Sequence, residues 1–442
     1  MKKTKVLQFY LDNIKPYSDK IPYFRELAEI VWNLIWKLKL TLKSIWFSVD
    51  MKKIYWISPQ KIIYGLERDY LFLLEKNKMP EKKLFKIGEA DWYIIKFEDK
   101  SVYQSFYQHF IMGKQWSETD LYINVSNKTK GEKSFWRYSS ISDFYNRCKM
   151  FDELYDDIKN NGIKTQRELK KNSLLKEDRI REIENEMIVY IGSEGELLYK
   201  NGQHRLSIAR LLNLDKVPIQ ILHRHKNWLK FRKEIFAYIR REMKGKALRP
   251  LLHPDLSDVP SLWSDKRFEM IKKNLIIKKG TLLDIGADWG YFCHKFEEIG
   301  FQCTAMESFP KNLYFMKKLK RAERLNFNII SKSIFDYKDS EDLKDDLNFD
   351  VVLALNLFNQ FVDIEEKDLH SKFVEIFGKI KAKEMYFQVP ENGGIEKIGK
   401  TNKCKNDYIS SKELINYIIE NTNFTYVNKI GEERNHAIYK LY

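Results

Sequence analysis

The sequence contains few cysteines and no long apolar run. Its four cysteines, Cys148, Cys293, Cys303 and Cys404, lie far apart in 442 residues and include no Cys-x-x-Cys pair. Neither a zinc site nor a disulfide framework is therefore indicated. No stretch of about 20 uncharged apolar residues occurs, which argues against a transmembrane helix. The amino-terminal residues also lack the apolar core and small-residue cleavage site of an export signal. These absences predict a cytoplasmic protein.

Acidic residues are outnumbered by basic ones. The chain has 78 Lys and Arg against 62 Asp and Glu, which gives a net charge of +16. Such a balance favours anionic partners: nucleotides, nucleic acids, phosphorylated glycans or acidic lipid surfaces. Hydrophobic residues make up 43% of the chain and aromatic residues 14%, which is ample for packed cores. The length predicts two or three domains.

The first 50 residues carry an amphipathic pattern from Tyr23 to Val49, in which apolar residues recur at helical spacing. Three tryptophans and several basic residues accompany them. A helix of this kind either packs on protein or lies on an anionic membrane surface. The pattern predicts an amphipathic helical extension over residues 1–50. If this helix lies on a membrane rather than on protein, the protein would associate weakly with the inner membrane face.

From residue 264 to the carboxyl terminus, helical segments alternate with short apolar strands, as is typical of a parallel α/β sheet. Residues 281–290, TLLDIGADWG, combine an apolar strand with a turn that passes through Gly286 and Gly290 into a helix. Glycine permits the tight bend and the close approach of a ligand to the backbone. The pattern predicts a ligand site at this turn.

Acidic or amide side chains follow the next three predicted strands. Glu307 ends the second strand about twenty residues after the first motif, where open α/β sheets commonly place an acid that binds ribose hydroxyls. Asp336 follows the third strand and Asn356 the fourth. All lie on the carboxyl edge, where such sheets bind ligands.

This combination resembles the class I S-adenosylmethionine-dependent methyltransferases, over about residues 264–442. The resemblance implies a Rossmann-like, seven-stranded sheet that ends in an antiparallel hairpin. It also implies a cofactor site in which Asp284, Gly286, Ala287, Asp288 and Gly290 form the loop at the methionine part, Glu307 binds the ribose and Asp336 binds the adenine amine. Asn356 would line the transfer site as a catalytic residue. The pair Asp288-Trp289 is bulkier than in many relatives.

The acceptor is predicted from motifs that are missing. Methyl transfer to a base amine in DNA would, by resemblance, require Asp/Asn-Pro-Pro-aromatic after the fourth strand, but residues 356–359 read NLFN. Cytosine C5 chemistry would require a Pro-Cys nucleophile, which is also missing. We therefore predict transfer to a hydroxyl of a small-molecule or glycan-like acceptor. The alternative is a nucleic-acid-binding protein whose methyltransferase domain modifies nucleic acid or is inactive.

A second motif, Asn201-Gly202-Gln203-His204-Arg205, lies between a predicted strand and a helix amino terminus. Free backbone N–H groups and the helix dipole attract anions at such a position. The arginine adds a bidentate donor that suits phosphate, and the histidine can carry a proton. These five residues are predicted to bind a nucleotide or phosphate, with His204 taking part in catalysis. A structural helix cap is the alternative.

This second motif resembles the Gly-x-His-Arg box of the ParB/sulfiredoxin superfamily. The resemblance implies an α+β domain over residues 51–225, with a largely helical insertion at about 64–185. Members bind or hydrolyse nucleotides or act as kinases on small molecules, which implies ATP or another nucleotide with magnesium as a second ligand. A basic helix and a proline-containing linker, residues 226–263, are predicted to join this domain to the methyltransferase domain, residues 264–442.

Overall fold

The computed structural model describes residues 50, 52–67, 85–87, 90–129, 140–166, 168–169, 186–334, 347–355, 380–390, 415–416, 419–420 and 422–442. The chain divides into two compact units, and the boundary along the chain lies between Leu229 and Lys230. Each unit is built on one seven-stranded sheet accompanied by helices. Within these described ranges, no helix has the length and apolar character that a transmembrane span requires.

The sheet of the first unit has the strand order β1-β7-β5-β6-β2-β4-β3. Its strands are β1 (Ile54–Ile57), β2 (Tyr64–Glu67), β3 (Phe85–Ile87), β4 (Ala90–Lys96), β5 (Met187–Ile191), β6 (Leu197–Asn201) and β7 (Val217–Arg224). The helices are α1 (Ser101–Phe106), α2 (Asp120–Thr129), α3 (Ile141–Asn161) and α4 (Gln203–Leu211), with a π-helical turn at Tyr107–Ile111 and short 3-10 helices at Pro59–Lys61, Phe97–Asp99 and Trp116–Glu118.

The middle motif lies where the sequence predicts it, between a hairpin and a helix. Strands β5 and β6 pair antiparallel around the turn at residues 192–196, and α4 begins directly after Gly202. The segment predicted to be an insertion contributes to the same sheet, because β2 pairs with β6 and β4 pairs with β2. Helices α1 and α3 from that segment bury an aromatic cluster that includes Phe106, Phe144 and Phe151.

The second unit contains the strands β8 (Thr281–Ile285), β9 (Gln302–Met306), β10 (Asn328–Ile330), β11 (Asn348–Ala354), β12 (Lys381–Pro390), β13 (Val427–Glu433) and β14 (His436–Leu441). Helix α5 (Lys226–Glu242) begins in the first unit and continues into the second. It is followed by a 3-10 helix at Pro254–Leu256 and by α6 (Lys266–Asn274), α7 (Tyr291–Glu298) and α8 (Pro310–Glu323).

The strand order of the second sheet is β10-β9-β8-β11-β12-β14-β13. The first five strands are parallel, and β14 is antiparallel to both of its neighbours. The prediction of a seven-stranded sheet that ends in an antiparallel hairpin is confirmed. The order changes direction between β8 and β11, and ligands of open α/β sheets bind at such a switch point, outside the carboxyl ends of the strands.

The apolar runs of the parallel strands reflect burial on both faces. In β11, Val351 and Leu353 pack on one side of the sheet, whereas Val352 and Ala354 pack on the other. Parallel strands that are covered on both faces read as continuous apolar stretches rather than as alternating ones. This packing fixes the carboxyl edge of β8 and β9, where the candidate site lies.

Three predictions concern residues outside the described ranges. The amphipathic helix from Tyr23 to Val49 and the site residues Asp336 and Asn356 are not among the described residues. Their predicted roles, which are membrane association, adenine binding and catalysis, therefore stay predictions.

Candidate functional site

The loop between β8 and α7, residues 286–290, bends through left-handed backbone conformations. Gly286, Asp288 and Gly290 have φ angles of 71°, 51° and 83°. A Cβ on Gly290 would lie 3.1 Å from Phe327 Cζ and 3.2 Å from Met316 Cγ. Glycine is therefore favoured there by the left-handed backbone, and the close side chains add to this preference. Aspartate is one of the few other residues that tolerate this conformation.

Backbone hydrogen bonds tie this loop to the end of β9. The amides of Gly286 and Ala287 both donate to the carbonyl oxygen of Met306, at 2.9 and 3.0 Å. The Gly290 amide donates to the Ala287 carbonyl oxygen at 2.8 Å. The loop therefore returns to the carboxyl edge of the sheet before α7 begins.

Glu307, the residue after β9, is buried beside the same loop. Its carboxylate accepts hydrogen bonds from the amides of Asp288 (2.9 Å), Ser308 (2.9 Å) and Phe309 (2.8 Å), and a longer one from Asn312 Nδ2 (3.4 Å). A carboxylate offers about four acceptor positions. A ligand hydroxyl would therefore most readily replace the long Asn312 contact. Phe309, the second residue after the acid, is 53% exposed.

Two carboxylates of the site are shielded from water without full pairing. Asp284 Oδ2 and Asp288 Oδ1 are buried and lack hydrogen-bond partners among the described residues. Burial raises the pKa of each to about 7; Arg249 opposes this shift, and Glu307 adds to it. Because unpaired buried polar atoms are costly, these oxygens are suited to receive donors from a ligand.

Arg249 brings the compensating charge to these carboxylates. Its Nη1 atom is buried and also lacks a hydrogen-bond partner within the described part of the chain. Burial lowers the pKa of its guanidinium, whereas Asp288 and Asp284 raise it. The guanidinium carbon lies 5.0 Å from the centroid of the Phe292 ring. One cationic donor without a hydrogen-bond partner therefore interacts electrostatically with two carboxylates that each have an unpaired oxygen.

Arg249 belongs to a closed loop, residues 247–263, that we call the strap. Its two ends are joined, since the Leu262 amide donates to the Ala247 carbonyl oxygen at 2.8 Å and the Ala247 amide to the Pro260 carbonyl oxygen at 2.8 Å. Arg232 of α5 holds the middle of the strap: it pairs with the Asp258 carboxylate and donates to the Asp255 carbonyl oxygen.

Helix α5 packs directly against the site. Tyr238 lies 5.2 Å from Phe315 of α8, and Phe315 lies 4.5 Å from Trp289 of the β8–α7 loop, measured between ring centroids. Trp289 Nε1 donates to Asn312 Oδ1 at 3.1 Å. The large side chain after Asp288 is thus part of an aromatic contact between α5, α8 and the loop. Residues 230–263, which make up most of the predicted basic helix and linker over residues 226–263, belong to the second unit.

In the first unit, the structure places the middle motif in contacts within the protein. Gly202 has a φ of 91°, and a Cβ there would lie 2.7 Å from Met187 Cγ. Asn201 Oδ1 accepts from the Gly202 amide at 3.0 Å, and Gln203 begins α4. His204 stacks on Phe151 with ring centroids 4.6 Å apart. Burial, assisted by Arg147, lowers the pKa of His204 to about 3, so this imidazole is neutral at physiological pH.

Arg205 is paired with a buried acid. Its Nη1 lies 3.6 Å from Glu186 Oε2, and both side chains are largely buried. With its amide oxygen turned towards Arg205, Gln166 also accepts from both guanidinium nitrogens, at 2.7 and 2.9 Å. These contacts favour a structural role for the arginine. Phosphate binding at residues 201–205 stays a prediction.

Replacing Arg205 by methionine is expected to lower the free energy of unfolding by about 3 kcal/mol, because Glu186 would be left as a buried, uncompensated charge. Urea unfolding of the full-length protein measures this change. The double variant Arg205→Met/Glu186→Gln removes both charges and should recover part of the loss. A loss under about 0.5 kcal/mol in the single variant, the size typical of exposed positions, would show that the pair contributes little.

Comparison with known proteins shows only limited similarity. No model of a protein family matches the sequence, and no curated protein sequence matches it. Among solved structures, the bifunctional kinase-methyltransferase WbdD is similar with a TM-score of 0.36 and 13% identity, over 47% of this chain and 45% of that one. The chain thus spans less than half of the WbdD structure.

Two other similar structures are methyltransferases. The N-methyltransferase NodS from Bradyrhizobium japonicum WM9, in complex with S-adenosyl-L-homocysteine, has a TM-score of 0.31 and 11% identity, over 40% of this chain and 85% of that one. The methyltransferase domain of bacterial CtHen1-CN has a TM-score of 0.30 and 13% identity, over 40% of this chain and 95% of that one.

Proposed function

We propose that the second unit is an S-adenosylmethionine-dependent methyltransferase. The observation that carries the proposal is the set of three unpaired, buried polar atoms at the carboxyl edge: Asp284 Oδ2, Asp288 Oδ1 and Arg249 Nη1. Two acceptors and one cationic donor complement the ammonium and the carboxylate of a free amino-acid group. The methionine part of S-adenosylmethionine has such a zwitterionic end.

The remaining contacts fit the nucleoside part of the same cofactor. Glu307 would accept hydrogen bonds from the ribose hydroxyls in place of the long Asn312 contact. The exposed ring of Phe309, two residues after Glu307, offers a surface on which a base can stack. The cofactor supplies an activated methyl group on a positively charged sulfur. The chain's own part is to bind and orient this donor.

The acceptor in this proposal is a hydroxyl of a small or glycan-like molecule. Methyl transfer to oxygen requires the hydroxyl proton to leave during attack, so a base within hydrogen-bond reach is needed. Asn356, which follows the strand adjoining β8, stays the predicted residue of the transfer site. For the first unit, the ParB/sulfiredoxin relationship and a nucleotide-dependent activity, such as that of a kinase, likewise stay predictions.

The donor site is tested by replacing Gly290 with alanine. Calorimetric titration of the full-length protein with S-adenosylhomocysteine, the demethylated product, should show binding that Gly290→Ala weakens more than tenfold. The added Cβ would lie 3.1 and 3.2 Å from side-chain atoms of Phe327 and Met316, so these side chains must move by a few tenths of an ångström beside the loop. The matched control is Gly245→Ala, because Gly245 has a similar φ of 82° but nothing lies within 4 Å of its added Cβ.

The Gly245→Ala control distinguishes a local effect on the β8–α7 loop from the general cost of placing alanine in a left-handed conformation. Both substitutions place alanine in a left-handed conformation, but only one disturbs the site. Equal affinity in the wild-type protein and in a folded Gly290→Ala variant would contradict the proposed location. A wild-type protein that binds no S-adenosylhomocysteine would contradict the proposed function itself.

A further inference from the structure

Three polar side chains are buried together where β12 approaches the carboxyl edge of the second sheet. Arg267 of α6 donates through Nη1 to Gln388 Oε1 of β12, and its Nε lies 3.5 Å from Glu433 Oε2 at the end of β13. Arg267 is 0% exposed and Gln388 1%. The guanidinium carbon lies 3.8 Å from the centroid of the Trp263 ring. We call Arg267, Gln388 and Glu433 the edge cluster.

The two charges of the edge cluster compensate each other, but its capacity for hydrogen bonds is not used up. Arg267 and Glu433 form an ion pair, so the cluster is neutral as a whole. Arg267 Nε and Nη2, Gln388 Nε2 and Glu433 Oε2 are nevertheless buried without a hydrogen-bond partner in the described part of the chain. Because such atoms cost free energy, the cluster would gain from a ligand that supplies the missing hydrogen bonds.

The edge cluster lies on the same face of the sheet as Asp284. In the register of the strands, Asp284 of β8 is opposite Leu353 of β11, and Leu353 is opposite Tyr386 of β12. Gln388 follows Tyr386 by two residues and therefore lies on the same face, nearer the carboxyl edge. Two strand spacings of about 4.8 Å and a rise of about 3.3 Å per residue place Gln388 Cα roughly 12 Å from Asp284 Cα. The edge cluster and the donor site therefore share one edge and one face of the sheet.

The edge cluster lies directly beneath the surface. Glu433 Oε1 accepts hydrogen bonds from the amide and the hydroxyl of Ser264, at 3.3 and 2.7 Å, and Ser264 is exposed. Asn435, two residues after Glu433 in the turn between β13 and β14, is also exposed. A ligand that displaces Ser264 from Glu433 would reach the unpaired atoms from this side.

We propose that the edge cluster binds an uncharged hydroxyl group of the methyl acceptor, other than the one that receives the methyl group; this inference rests on the proposed methyltransferase function. A hydroxyl carries one O–H donor and two acceptor lone pairs. It would donate to Glu433 Oε2 and accept from Arg267 Nη2 and Gln388 Nε2. A phosphate or carboxylate would be repelled by Glu433, and an ammonium by Arg267. The recognised part of the acceptor is therefore neutral, as in an unmodified sugar or polyol.

The test measures the binding of neutral methyl glycosides to the full-length protein saturated with S-adenosylhomocysteine. The probes are the methyl glycosides of mannose, galactose, rhamnose and N-acetylglucosamine. Each is titrated calorimetrically up to about 10 mM, which is enough to detect a Kd of about 1 mM. At least one glycoside should bind, and inorganic phosphate should not displace it. Absence of binding by all four, or displacement by phosphate, would overturn the proposal.

The variant Gln388→Glu tests the contact itself. It keeps an oxygen that accepts from Arg267 but replaces the donor Nε2 by an acceptor, so it should weaken binding of the glycoside about tenfold or more. A deoxy analogue that lacks the recognised hydroxyl should bind about tenfold more weakly to the wild-type protein and no more weakly still to the variant, because both changes remove the same contact. Losses that add for every deoxy analogue would show that Gln388 does not contact a ligand hydroxyl.

The matched control is Gln302→Glu, because Gln302 is exposed at the start of β9, and it should leave the affinity for the glycoside unchanged. If Gln388→Glu does not fold, Glu433→Gln tests the other side of the contact. It keeps the oxygen that accepts from Ser264 and should weaken the same glycoside by a similar factor. A protein that binds S-adenosylhomocysteine but no glycoside would refute the role of the edge cluster alone, whereas one that does not bind S-adenosylhomocysteine would refute the proposed function.

Discussion

Replacing Arg249 by methionine is expected to weaken the binding of S-adenosylhomocysteine by about 10- to 100-fold, the range that follows from losing a hydrogen bond to a charged group. Arg249 Nη1 is a buried cationic donor without a hydrogen-bond partner among the described residues, so its loss would remove the proposed partner for the ligand carboxylate. It also leaves Asp284 and Asp288 without a compensating charge, which raises their pKa values further. Calorimetric titration of the full-length variant measures the effect.

A ligand without the amino-acid end provides the decisive comparison. Methylthioadenosine shares the nucleoside and the sulfur but lacks the ammonium and the carboxylate, so Arg249→Met should leave its affinity unchanged within about twofold, well under the cost of a lost charged hydrogen bond. The control Arg240→Met removes a charge from the exposed side of α5 and should affect neither ligand. Equal weakening of both ligands by Arg249→Met would show that the arginine only supports the fold.

Binding of S-adenosylhomocysteine is expected to strengthen as pH rises through about 7. Asp284 and Asp288 each have a pKa raised to about 7, chiefly by burial. Only the deprotonated carboxylates attract the ligand ammonium, so affinity should fall as pH decreases from 8 to 5.5. Titration in buffers of different ionisation enthalpy should reveal that binding near pH 7 releases protons. A flat affinity over this range would contradict the assignment of these two carboxylates.

In the absence of ligand, the contribution of these carboxyl groups to the free energy of unfolding should decrease as pH rises, whereas the affinity for S-adenosylhomocysteine should increase. A carboxyl whose pKa is higher in the folded than in the unfolded protein contributes stability that is fully present below its unfolded pKa. That contribution is lost as pH rises from about 4 to 7. Other titrating groups also make the free energy of unfolding depend on pH. The useful quantity is therefore the difference in this free energy between the wild-type protein and Asp288→Asn. The variant should gain stability relative to wild type between pH 5 and pH 8, as measured by urea unfolding.

Much of the second unit could be predicted from the sequence because its local sequence patterns match the strands and turns of the fold. The TLLDI strand, the glycine-containing turn and the acid that ends the next strand occur in the predicted order, and the terminal strands pair as a hairpin. The structure also brings Glu307 against the β8–α7 loop. The parts of each feature lie within about twenty residues of one another, and signals of such short range survive in a single sequence.

The features that sequence reasoning missed depend on contacts between distant segments. Arg249 precedes a proline in a segment that reads as a linker, and nothing local signals that its charge acts on Asp284. In the first unit, Arg205 has the chemistry of a phosphate ligand, but Glu186 and Gln166 hold it instead. Burial of His204 against Phe106 and Phe151 is likewise set by helices far away in sequence. The type of each residue indicates which groups its side chain can bind, whereas the tertiary packing determines which groups it actually contacts.

Helix α5 limits how the gene for this protein can be divided. It starts in one unit and supplies Phe231, Arg232 and Tyr238 to the other. A cut at residue 264, where the predicted α/β pattern begins, would discard the strap with Arg249 and expose Phe315 and Trp289. Recombination that exchanges one half for an unrelated partner would therefore need to keep residues 230–263 with the carboxyl-terminal half.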